Sequence, residues 1–306
     1  MKILTVILGV VFVLLVLSLL ATTIMELIAA FMHLRGKNLK KALGNMLVGL
    51  KDDGTTEDES FLEKFKNNAL FRQLSHKYSN KTTNPPSYLS AKSFQSILFD
   101  IILGDEKISE QDVIKEINNI ENADLRNVLN QLVRDADGKL EGFKENVETW
   151  YDSVMDRATG WYKRQAKKIL IYVGLVMAII LNADTLAIYE RLESDPETLA
   201  QVVAMAEEMA AKPDSASIVK QNMSFEEAST ELNALLENNL NTIKSPLGLG
   251  WKNVDFEKIT VYDWLTKALG WIITALAISL GAPFWFDILK KIVSIRSSGG
   301  TTTEKK

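Results

Sequence analysis

Residues 3–20 read ILTVILGVVFVLLVLSLL, preceded only by Met1-Lys2, and polar character returns at Thr22, Thr23 and Glu26. About 18 or more uncharged apolar residues suffice to cross a hydrocarbon core of about 30 Å as a helix. The run exceeds the apolar core of a secretory signal, and Leu20-Ala21-Thr22-Thr23 offers no good small-residue pair for cleavage. It therefore reads as a retained transmembrane helix within residues 1–34, and it sets the class of the whole chain.

Two more runs have the length of one crossing. Residues 169–188 read ILIYVGLVMAIILNADTLAI, directly after Lys163, Arg164, Lys167 and Lys168. Residues 268–286 read ALGWIITALAISLGAPFWF and are followed by Lys290, Lys291 and Arg296. We place the second span at 169–188 and the third at 266–286.

Positive residues accumulate on the cytoplasmic side of spans. The segment 35–168 is basic at both ends, with Arg35, Lys37, Lys40 and Lys41 at its start, and is expected inside the cell. Residues 189–265 carry Glu190, Glu193, Asp195, Glu207, Glu208, Glu226 and Glu227 with few basic residues, and are expected as an acidic extracytoplasmic loop. Residues 287–306 return to the cytoplasm as an amphipathic helix and a disordered tail. The expected topology is multi-pass, N-terminus out and C-terminus cytoplasmic. Trp161, Tyr162, Phe284, Trp285 and Phe286 then fall at the inner interface and Trp264 and Trp271 near the outer one, where aromatic rings prefer to sit.

The remaining composition narrows function by exclusion. A net charge of −4 argues against nucleic acid as a partner, since phosphate binding needs a clustered basic surface. The absence of cysteine removes disulfides, thiolate metal sites and cysteine nucleophiles. Histidine occurs only at positions 33 and 76.

The polar segments read as helix throughout. Leu39, Leu43, Leu47 and Leu50 form one stripe, and Phe61, Phe65, Leu70, Leu74 and Tyr78 another. Asn84-Pro85-Pro86 forces a break. Ser90 should open a helix that buries Phe94 and Leu98 and ends at Gly104, and Ser109 with Asp112 should open the next. Leu140, Phe143, Val147, Trp150, Val154, Ala158 and Trp161 recur in steps of three and four, which predicts one long helix continuous with the second span. Asp195-Pro196 and Ser224 with Glu227 should start two helices in the acidic segment. The expected fold is all-α: a three-span helical membrane protein with a cytoplasmic helical domain and a smaller helical extracytoplasmic loop.

Few residues suggest chemistry. Glu26 is an ionisable group in a span, best read as boundary or packing, with ion or proton handling as the alternative. Asn182 and Asp184 are read as interhelical bonding and exit from the membrane, or as the lining of an aqueous cavity. Ala277 and Gly281, four apart, suit close helix packing, and Gly281 with Pro283 should loosen the third span near its inner end. Asp135-Ala136-Asp137-Gly138 is similar to the start of a calcium loop, but its later ligand positions do not fit. No nucleophile–base pair or phosphate loop is present, so no catalytic, metal or cofactor site is expected.

Three stretches resemble a family of uncharacterised bacterial inner-membrane proteins. They are Pro86-Ser87-Tyr88-Leu89 leading to Phe94; Trp150-Tyr151 with Met155-Asp156-Arg157 and Gly160-Trp161-Tyr162-Lys163-Arg164; and Gly281-Ala282-Pro283-Phe284-Trp285-Phe286-Asp287. The acidic segment and the Thr301–Lys306 tail lie outside it. The resemblance implies a bacterial inner-membrane setting and no reaction, substrate or ligand. By position, Asp156, Arg157, Trp161, Lys163, Arg164, Trp285 and Asp287 should form a cluster just inside the membrane, joining the second and third spans.

The expected function is a non-catalytic scaffold or regulator working through the cytoplasmic domain. An oligomeric pore or transport component using the second and third spans is the alternative. The expected partners are the lipid bilayer and either further copies of the chain or a protein bound to the cytoplasmic domain.

Overall fold

A computed structural model describes residues 2–48, 60–79, 82–104, 110–213, 223–244, 246–252, 254–257 and 259–300. It is built from helices, with one short hairpin. The chain separates into two units: Met1–Phe31 with Gln165–Lys306, and Met32–Arg164. Helix α1 (Lys2–Phe31) belongs to the first unit.

The second unit holds α2 (Leu34–Leu47), α3 (Ser60–Asn67), α4 (Ala69–Leu74), β1 (His76–Ser79), β2 (Thr82–Asn84), α5 (Ala91–Leu103), α6 (Glu110–Asn118) and α7 (Ala123–Asp135). It also holds the first part of α8 (Leu140–Ile180), which runs unbroken into the first unit as the sequence predicts. Leu39, Leu43 and Leu47 are buried, whereas Leu50 and Ser109 lie outside the described residues. Aromatic rings centre this core: Phe94 stacks on Tyr151 at 4.7 Å and meets Phe65 at 5.4 Å. The Tyr151 hydroxyl donates to the Leu89 carbonyl at 2.5 Å.

Ser90 caps α5 by accepting from the Ser93 amide, and Gly104 closes it at φ 62. Asp137 at φ 52 and Gly138 at φ 75 end α7, a helix stop rather than a calcium loop. The expected stripe through Leu70, Leu74 and Tyr78 does not hold. Asn68 accepts from the Leu70 amide and starts a new helix, so Phe71 turns inward while Leu70 and Leu74 stay exposed. Residues 76–79 then pair antiparallel with 82–84.

The rest of the first unit comprises α9 (Thr185–Ser194), α10 (Pro196–Ala210), α11 (Phe225–Leu235), α12 (Asn241–Lys244), α13 (Val261–Ile278) and α14 (Ala282–Gly300). A single π turn, Leu236–Leu240, links α11 to α12. Asp195 accepts from the Glu197 and Thr198 amides to open α10, and Ser224 with Glu227 forms a full capping box on α11. Both starts are where the sequence places them. Helices α1 and α13 are each long and apolar enough to cross a membrane, and so are α8 and α9 taken as one pair bent by 51°.

Helix α1 packs against α9, α10, α11, α13 and α14. A side chain at Gly9 would meet Leu192, Leu199 and Val202, and the Phe31 ring lies 6.5 Å from Phe225. Helices within residues 189–265 thus line the first apolar helix near both of its ends. Arg296 of α14 is paired to Glu207 of α10 at 2.8 Å, and Lys290 donates to the Pro213 carbonyl at 3.0 Å.

Two helices end inside the apolar runs. The second apolar run breaks after Ile180 instead of continuing to Ile188. The third helix starts at Val261, capped reciprocally by Thr260 and Asp263, and stops at Ile278. Gly281, at φ 87, makes a sharp turn that an L side chain would strain, and α14 begins at the next residue. The expected loosened helix end is a full break, so the GAPFWFD stretch begins α14 rather than ending the third span.

Candidate functional site

The polar residues of the second run converge where α8 stops. Asn182 adopts φ 47 and turns the chain; its amide donates to the Gly250 carbonyl at 3.1 Å, and Lys267 donates to its carbonyl oxygen at 3.3 Å. Asp184, only 4% exposed, accepts from the Leu186 and Ala187 amides and so caps α9. The end of a helix leaves carbonyls without intrahelical donors. Here the Trp251 indole donates to Ile179 at 2.9 Å and the Gly250 amide to Leu181 at 2.7 Å.

From α13, the fully buried Thr274 hydroxyl lies 2.8 Å from the Ala183 carbonyl and accepts from the Thr185 amide at 3.1 Å. Helices α8 and α13 run antiparallel in contact: Gly174 faces Ala275 and Ile278, while Asp184 faces Gly270. A Cβ at Gly270 would stand 1.7 Å from the Asp184 carboxylate oxygen, so only glycine admits this approach. The joint therefore bonds helices together. Trp271 is buried against Trp251 and Trp264. Glu26 is 8% exposed on α1, packed within the first unit.

At the second joint the Trp285 indole donates back to the Ala277 carbonyl at 2.7 Å, Pro283 sits in the first turn of α14, and Phe286 is 1% exposed. Ala277 and Gly281 are thus not a packing pair within one helix. Gly174, Gly270, Thr274 and Ala275 do that work. The same spacing rule, applied to Gly270 and Thr274 four apart, could have found them.

The residues expected in one inner cluster belong to two units. Trp285 and Asp287 lie in the first, with Asp287 exposed; Asp156, Arg157, Trp161, Lys163 and Arg164 lie in the second, all exposed along α8. Within the second unit, Trp150, Arg157 and Trp161 form one wall of a groove of about 330 Å³. Met46 and Val48 line it from the end of α2, and Asp124 and Val128 from α7. Arg35 lies 5.7 Å from the Tyr162 ring centre, and Asn38 donates to the Ala158 carbonyl at 3.1 Å, which ties α2 to this part of α8. The MDRATGWYKR stretch thus has one buried residue, Ala158, and presents Arg157 and Trp161 outward. Among the described residues no group of acidic or histidine side chains is arranged to hold a metal ion.

Comparison with known proteins finds no matching family model, no matching curated protein and no matching solved structure.

Proposed function

We propose that this chain is a non-catalytic integral protein of a bacterial inner membrane, a scaffold or regulator that presents its second unit to a protein partner on the cytoplasmic side. The observation that carries the proposal is the groove walled by Trp150, Arg157 and Trp161. Tryptophan and arginine dominate the energetics of protein interfaces, because they combine large apolar area with directed hydrogen bonds. Trp161 is 39% exposed, so a partner can reach it. Arg157, Lys163 and Arg164 add exposed positive charge along the same helix, which favours a partner segment bearing carboxylates. The basic residues before the second apolar run support the cytoplasmic side.

The test is photo-crosslinking in intact cells, comparing the full chain with its Trp161→Ala and Arg157→Glu variants. We expect one defined protein crosslinked to the parent and lost from both variants, with thermal stability retained. Identical crosslinks in all three, or none in the parent, would reject the groove as the docking site.

A further inference from the structure

Among the apolar helices, α1 is the most buried. Every residue from Val11 to Ala21 is at most 5% exposed, including Ser18 at 0%. That stretch covers about three helical turns, so α1 is enclosed on every side there. Its enclosure is partly polar on the outside. Helix α10 turns Leu199, Val202, Val203, Ala206 and Met209 inward and leaves Glu197, Gln201, Glu207 and Glu208 exposed; α11 leaves Glu226, Asn233 and Glu237 outside with the turn that follows it.

Helices α8 and α13 have the opposite character. Leu170, Val173 and Met177 of α8 join the core, but Tyr172, Val176, Ile179 and Ile180 are exposed. On α13, Leu265, Leu269, Ile272 and Leu276 are exposed in steps of four, three and four. Of the eighteen most apolar residues 72% are buried in α1 but 28% in α13.

We infer that the first unit meets the phospholipid bilayer through the exposed face of the antiparallel α8–α13 pair, and that the Val11–Ala21 stretch of α1 is internal and touches no lipid. This rests on the membrane reading above and specifies which surface carries it. Three observations select a bilayer as the occupant. Helix α13, with 18 residues, is about 27 Å long, close to a hydrocarbon core, and its charged residues Asp263 and Lys267 fall in its first two turns, where one headgroup layer would meet them. No charged residue occurs from Ile169 to Ala183 or from Ala268 to Phe286. Lys167 and Lys168 stand exposed at the base of the α8 stripe, where anionic headgroups would meet them.

Placing α1 in lipid instead would strip α10 of its partner. That would expose the large apolar side chains of α10 to water, against the hydrophobic effect. Surrounding the whole bundle with lipid would put the outward Glu197, Glu207, Glu208 and Glu226 side chains in hydrocarbon, which strongly disfavours charge.

The test uses the full chain in vesicles of phosphatidylethanolamine and phosphatidylglycerol, isolated by flotation, with a carbene-generating photolabel dissolved in the hydrocarbon. Peptide mapping should place the label on Tyr172–Ile180 and Leu265–Leu276, with Val11–Ala21 at background. In parallel, the single-cysteine variants Gln201→Cys and Asn233→Cys should react with a water-soluble maleimide present on both sides of the membrane, and Leu269→Cys should be protected. A chain that fails to float defeats the membrane reading itself. A floating chain labelled on Val11–Ala21, or protected at positions 201 and 233, overturns only this inference. A floating chain unlabelled on α13 overturns it too, and points to a second copy on that face.

Discussion

Replacing Gly270 with alanine tests the joint between α8, α9 and α13 where sequence reasoning and structure give opposite signs. Taken as a helix interior position, Gly270→Ala should stabilise α13 by about 1 kcal/mol through propensity alone. The structure places Asp184 carboxylate atoms 1.7 and 2.3 Å from the new methyl, so the carboxylate must move. Asp184 is 4% exposed and caps α9, which leaves it no free rotamer to move to without releasing the Leu186 and Ala187 amides. Loss of a cap costs about 1 kcal/mol and overpacking about 1–3 kcal/mol, so the net is a destabilisation of about 1–3 kcal/mol. For a unit of this size that lowers the melting temperature by about 2–4 °C per kcal/mol, read by thermal unfolding of the full chain in detergent. Asp184→Ala removes the colliding atoms and costs about the cap. In that background Gly270→Ala should therefore become neutral or stabilising, a reversal that only direct contact produces. A stabilised single variant, or additive effects in the double variant, would refute the geometry.

Three further outcomes follow from the same packing. Gly174→Leu should destabilise by about 2 kcal/mol or more, because a Cβ already lies 3.2 Å from Ile278 and 3.4 Å from Ala275; Gly174→Ala should stay within about 1 kcal/mol of the parent in the same melting assay. Asn182→Ala should cost about 2 kcal/mol, since it removes the bonds to Gly250 and Lys267 and strains φ 47; Asn182→Gly should recover part of the loss. Burial pushes the Tyr151 phenol above its ordinary value, helped by the neighbouring Tyr88 and Asp152. The folded chain therefore holds this proton after the unfolded chain has lost it, and stability falls as pH rises above about 10. Tyr151→Phe should flatten that fall relative to the parent between about pH 9 and 11, and should cost about 1–2 kcal/mol near neutrality by leaving the Leu89 carbonyl unpaired.

Local structure was readable residue by residue where the signal is local. Ser90, Asp195 and Ser224 each cap the helix they precede, because a side-chain oxygen needs only the next few amides. The long helix through Trp150 and Trp161 was readable because its apolar spacing persists and no residue interrupts it. The joint was half readable. Asn182 and Asp184 stood out as polar residues in an apolar run, but their partners Gly250, Lys267, Gly270 and Thr274 are more than sixty positions away. Gly281 and Pro283 marked a weak point but not how far the chain turns there.

By itself the sequence determined an all-helical chain, its cap residues and which segments are too apolar to face water. Only the tertiary structure decided what each apolar segment faces. Hydropathy measures aversion to water, and a protein interior satisfies that aversion as well as lipid does. So α1, first by composition, lies enclosed by its own chain, while the less apolar α13 keeps the bare face.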